Sequence, residues 1–212
     1  MFNIQSITTI LYSLPAVFIG LTFHEFAHAW MATRLGDTLP RSQGRLTLDP
    51  FAHIDWIGMA CFVLLGFGWA KPVQVNVRSF KNPKRDDILV SVAGPVSNLL
   101  LAIAFSIVTR LLTHIPLAGM TQTIVWNLLN SIIHINIVLF ILNLLPIPPL
   151  DGWHVLKNFI PYQHWKNVLQ FEQYGFIVII LLSMTGVLSK IIGFGVLYLR
   201  LGIDSLLWLL PR

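Results

Sequence analysis

The chain has 212 residues, of which 55% are hydrophobic and only 11% charged. A soluble domain carries roughly 25% charged residues, so composition excludes an ordinary soluble enzyme and points to an all-α polytopic protein of the lipid bilayer. The net charge of +5 implies no nucleic-acid partner, because Lys and Arg sit in loops between apolar runs, and the single Cys61 excludes an internal disulfide or a Cys-based metal site.

The apolar runs fall at about 7–33, 56–69, 88–112, 123–148, 173–189 and 191–210. A spanning helix needs about 20 residues. The first, third and fourth runs pass that test. Residues 1–6 carry no positive charge and no small-residue cleavage site follows, so the first run is expected to stay in the mature protein. The run "WIGMACFVLLGFGW" is too short and holds three glycines, which predicts a re-entrant segment. After it, "PVQVNVRS" (72–79) alternates Val73, Val75 and Val77 with polar residues, which predicts a small β-strand or hairpin. Residues 173–189 read as a span. Residues 191–210 either span or lie along the interface as an amphipathic helix. The expectation is one membrane domain over 1–212, with a catalytic core at about 7–158 and C-terminal helices over 159–212.

Direction follows from the same runs. If 56–69 turns back without crossing, the second half of the first helix and the exit of the fourth run lie on one side. Ten Lys and Arg residues between Arg34 and Lys166 fall on that side, whereas 113–122 has none. The positive-inside rule makes that side cytoplasmic and the protein a multi-pass component of the cell membrane.

Within the first run stands "FHEFAHAW". Ionisable groups inside a spanning helix are functional by default. His24 and His28 are one turn apart on one helical face. Imidazole nitrogen and carboxylate oxygen are ligands for Zn2+, and a catalytic zinc takes three protein ligands and a water. Glu25, beside the first histidine, suits a base for that water. The leading candidate for the third ligand is Asp151, set after "PIPP", which cannot continue a helix, and before Gly152. The competing reading of Asp151 is a cap on a helix at 152–160, and Glu172, Asp55 and Asp49 are the other carboxylates.

"FHEFAHA", "GRLTLDPFAHIDWIG", "GWAKPVQVN", "AGPVSNLLLA" and "NLLPIPPLDG", in this order from about residue 15 to 158, together resemble the site-2 protease family of intramembrane zinc metalloproteases. The resemblance implies one Zn2+ held by His24, His28 and Asp151, with Glu25 as general base and acid. It also implies a three-helix core with the metal towards the cytoplasm. Asn98 matches the family's A-G-P-x-x-N element and Asn143 the Asn ahead of Asp-Gly; either is a candidate donor to the substrate backbone or the oxyanion. His53 lies in the family-like "AHID" and is a candidate support for the site. Trp56, Gln74 and Trp153 depart from the family pattern. Implied substrates are single-pass transmembrane proteins already trimmed outside, or signal-peptide remnants. The alternative is a zinc-binding membrane protein without proteolytic activity, a transporter or a chaperone-like inactive relative.

Overall fold

A computed structural model describes residues 4–65 and 68–208. It is almost wholly helical. In lipid each backbone N–H and C=O must be satisfied within the protein, which favours long continuous helices. Among the described residues five helices are long and apolar enough to cross a bilayer. Helix α1 (Ile4–Arg34) ends at Gly36, whose φ of 108° is open to glycine. There the Asp37 N–H reaches the Ala32 carbonyl (3.0 Å) and the Gly36 N–H the Thr33 carbonyl (3.2 Å), so the last turn is capped.

Two single-turn helices, α2 (Leu39–Ser42) and α3 (Pro50–His53), lead to α4 (Trp56–Leu65). Ten helical residues rise about 15 Å, half the hydrocarbon thickness. The chain then comes back to where it left. Ile54 and Ala70 form an antiparallel bridge, and the Lys71 N–H donates to the His53 carbonyl at 2.9 Å. Gly58 and Gly68 let the two legs touch, since a Cβ on Gly58 would lie 2.2 Å from the Trp69 carbonyl oxygen. The described legs of the segment expected to be re-entrant, 56–65 and 68–69, thus lie side by side, and residues 66–67 of that expectation lie outside the described residues.

The β element expected at 72–79 is not found. Among the described residues no strand occurs; 72–76 carry no regular secondary structure, and Val77–Ser79 form a 3-10 turn. The reason is where its amides go. Val73 N–H is taken by Glu25 and Asn76 N–H by Asp37 (2.7 Å), side chains rather than a neighbouring strand.

Helices α5 (Pro83–Leu112) and α6 (Gly119–Asn143) follow, and with α1 they make the three most extensive helix packings in the molecule. After the short α7 (Asp151–Lys157) come α8 (Trp165–Met184) and α9 (Val187–Trp208). The break between the last two falls at Gly186 (φ 72°), so α8 begins and ends earlier than the run 173–189 and Lys190 lies inside α9. Helix α9 joins the bundle: Ile203 and Leu207 are buried with Ala102 of α5 and Ile133 and Ile137 of α6.

Candidate metal centre

The second half of α1, the middle of α5 and the start of α7 meet at one point. His24 and His28 Nε2 are 3.0 Å apart. Asp151 Oδ2 lies 3.1 Å from the first and 3.4 Å from the second. All three residues offer one ligand atom to the same small volume.

The hydrogen bonds behind the histidines fix their tautomers. His28 Nδ1 faces the Val90 carbonyl at 2.8 Å, which can only accept, so Nδ1 carries the proton. His24 Nδ1 faces Asn98 Oδ1 at 2.7 Å. The orientation of Asn98 is settled by its amide nitrogen, which donates to the Gly20 carbonyl (3.0 Å) and to Asn136 Oδ1 (2.9 Å). Asn136 in turn donates to the Ile132 carbonyl at 2.8 Å. Both Nε2 atoms therefore present lone pairs to each other and to Asp151 Oδ2, a buried atom with no hydrogen-bond partner.

Three lone pairs converging without a proton between them are repulsive unless a cation joins them. A tetrahedral zinc with ligands at about 2.0–2.1 Å needs ligand atoms about 3.3 Å apart. The triangle of 3.0, 3.1 and 3.4 Å fits that requirement. Second ring nitrogens donating to a carbonyl and an amide oxygen are the usual outer support of metal-bound histidines.

Why these elements approach so closely is written in α5 and in the turn before α7. A Cβ on Gly94 would lie 2.3 Å from His28 Nε2 and 2.7 Å from His24 Cε1, so only glycine lets α5 pass the imidazoles. Gly152 packs equally tightly: a Cβ there would lie 2.3 Å from the Leu144 carbonyl oxygen. Asp151 opens α7 without capping it, and its side chain turns to the histidines.

Glu25 is buried and accepts the Val73 N–H at 2.9 Å through Oε2. It lines, with His24, His28 and Asp151, a cavity of about 560 Å³ whose far walls include Pro72, Val75 and Val77. Asn143 lines the same cavity, its amide donating to the Leu139 carbonyl at 3.0 Å. Asn98 does not. It is fully buried behind His24, both amide protons committed to the protein. His53 also stands apart, buried at the base of the re-entrant segment, with Nε2 donating to the Thr47 carbonyl at 2.7 Å. The other carboxylates are used elsewhere: Asp49 and Asp55 accept amides at helix starts, and Glu172 accepts the Trp153 indole N–H at 2.9 Å.

Several supporting residues have a signal in the sequence that spacing alone does not assign to a role. Asn136 is a polar side chain within an apolar run. Gly94 stands in the quoted "AGPVSN". Arg45, in "GRLTLDP", is buried and donates to the Ala52 and Lys71 carbonyls, tying together the two legs of the re-entrant segment. Burial lowers its pKa and the carboxylate of Glu25 opposes that shift.

A bundle of membrane-spanning helices with a buried His-Glu-x-x-His and a distant aspartate closing on it defines a membrane metalloprotease class. The family model described as Peptidase family M50 matches residues 110–186, which include Asp151. "Putative zinc metalloprotease YwhC" of Bacillus subtilis is 40% identical over 176 residues, 82% of this chain and 80% of that protein. "Putative zinc metalloprotease Rip2" of Mycobacterium tuberculosis is 31% identical over 184 residues, 85% of this chain and 69% of that protein. "Putative zinc metalloprotease Rip2" of Mycolicibacterium smegmatis is 28% identical over 176 residues, 81% and 66%. No solved structure matches the chain. The chain belongs to peptidase family M50, the site-2 protease family of zinc metalloproteases, and is a multi-pass membrane protein.

Proposed function

We propose that this protein is an intramembrane zinc metalloprotease that hydrolyses peptide bonds of transmembrane substrates near the cytoplasmic side. One observation carries the reading: three lone-pair donors converge inside an apolar bundle, with Glu25 on the wall of the same cavity. His24, His28 and Asp151 would hold the metal. Zinc held there would act as a Lewis acid that lowers the pKa of water to about 7 and polarises the scissile carbonyl.

The remaining steps belong to the chain. Glu25 takes the proton of the attacking water and returns it to the leaving amine. The Val73 N–H holds one carboxylate oxygen and leaves the other for that exchange. Asn98 acts through His24, orienting its ring, whereas Asn143 faces the cavity and is the candidate donor to the substrate backbone. A helical substrate hides its carbonyls, so it must unwind before attack. The stretch 72–77, with Val73, Val75 and Val77 on the cavity wall and no partner strand among the described residues, offers it an edge. The substrates are single-pass proteins already trimmed on the far side, or signal-peptide remnants. Glu25 separates this reading from metal binding without proteolysis. In proteoliposomes with a transmembrane test substrate, Glu25→Gln is expected to keep one zinc per chain and lose cleavage; cleavage at the wild-type rate refutes the assignment.

A further inference from the structure

The cavity holds a carboxylate that the proposed reaction leaves unused. Asp87, in the second turn of α5, lines the same wall as His24, Glu25, His28 and Asp151 and is only 7% exposed. A carboxylate taken out of water is costly unless a cation or several donors meet it. One donor does: the Asn158 side-chain amide reaches Asp87 Oδ2 at 2.6 Å. Asn158, at the end of α7, is itself placed by a 2.9 Å bond to the His154 carbonyl. Among the described residues no Lys, Arg or His pairs with Asp87. Lys84 and Arg85 on the same helix are exposed, and Lys157 on the cavity wall turns to Glu172 at 3.5 Å. Asp87 Oδ1 is thus left for whatever enters the cavity.

The helix itself gives the distance from the metal cluster. Gly94 of α5 lies against both imidazoles, and Asp87 stands two turns nearer the start of that helix. At about 1.5 Å per residue the separation along α5 is about 10 Å. An extended chain covers that in about three residues.

We propose that Asp87 selects substrates carrying a lysine or arginine about three residues from the scissile bond, on its cytoplasmic side. This rests on the proteolytic reading and names the substrate class within it. A membrane segment carries Lys and Arg where it leaves the bilayer for the cytoplasm. The charge that Asp87 lacks is therefore the one a spanning substrate brings to this depth. The cation takes Oδ1 in a charge-assisted hydrogen bond while Asn158 keeps Oδ2 in place. One anchored side chain then sets which carbonyl of the unwound segment reaches Glu25. The start of α5 also favours negative charge through the helix dipole, but that role would make Asp87 indifferent to the substrate.

The test uses the full chain in zinc-loaded proteoliposomes. Transmembrane test substrates differ only in having Lys, Arg, Gln or Glu about three residues from the mapped cut. The wild type is expected to cleave the Lys and Arg substrates with kcat/KM about tenfold above the Gln substrate, and the Glu substrate slowest. Asp87→Asn, which keeps the shape of the side chain, is expected to bring the Lys-to-Gln ratio to about one. A wild type indifferent to these four residues overturns the proposal. So does an Asp87→Asn that slows every substrate alike with the ratio intact, which makes Asp87 a structural tie between α5 and α7. The wild-type series decides the matter if Asp87→Asn does not fold. Binding of the same substrates to Glu25→Gln separates the two readings: a wild type that cuts nothing refutes proteolysis, whereas equal affinity for the Lys and Gln substrates refutes the role of Asp87.

Discussion

Replacing Gly94 by alanine tests whether the metal geometry depends on how closely α5 passes α1. In an ordinary helix interior the change is favourable by about 0.5–1 kcal/mol. Here the new methyl would sit 2.3 Å from His28 Nε2, 2.6 Å from His28 Cε1 and 2.7 Å from His24 Cε1. Carbon contacts are comfortable only at about 3.5–4.0 Å, so more than 1 Å of overlap must be relieved. Overpacking of this kind costs about 1–3 kcal/mol, which against that gain leaves the bundle weakened by about 2.5 kcal/mol at most. The imidazoles bear the displacement. If they rotate away, the bonds to the Val90 carbonyl and Asn98 Oδ1 are lost together with the metal triangle. Gly94→Ala is therefore expected to keep its helical circular dichroism and lose most of its zinc, measured as metal per chain after purification. A variant that binds one zinc with unchanged affinity refutes the argument that this glycine exists for the histidines.

Asn98→Ala leaves the His24 ring without its partner; a fall of about 10–100-fold in zinc affinity is expected, read by competition with a chelator. Arg45→Gln frees the two carbonyls at the base of the re-entrant segment. It should expose 52–71 to added protease and slow cleavage while zinc content holds; loss of zinc in step would place Arg45 in the metal site instead. His154, on the cavity wall, is held below its ordinary value by burial and then by Lys157. The unfolded chain thus binds its proton more readily, so stability is present above about pH 6.5 and falls as acid is added. His154→Gln should flatten the decline of melting temperature between about pH 6.5 and 5.

Much of the architecture is legible in the sequence because lipid constrains it. The lengths of α1, α5 and α6 follow from apolar runs, and the brevity and glycines of 56–69 announce a segment that turns back. His24, Glu25 and His28 are legible as polar groups where polar groups are costly. Asp151 is reachable because the prolines before it forbid a helix. The missing strand at 72–76 is not legible. Alternation of Val73, Val75 and Val77 records which side chains face the cavity, but the amides are satisfied by Glu25 and Asp37, and no sequence pattern reveals a side chain standing in for a strand. The α8–α9 boundary falls away from its expected place because Lys190 stands out as a breaker while Gly186, a residue already inside an apolar run, carries the turn. Asn98 reads as a substrate donor because sequence names the residue but not the direction its amide faces.

One amide connects everything that matters in the core. Asn98 on α5 touches the Gly20 carbonyl on α1, the Asn136 side chain on α6 and the imidazole of His24. Slide any of the three helices by a single turn and that contact set comes apart, releasing the ring to tumble. Capacity to capture a cation is thereby tied to correct assembly: a wrongly threaded chain stays inert, and the three ligands come together only once the fold is finished.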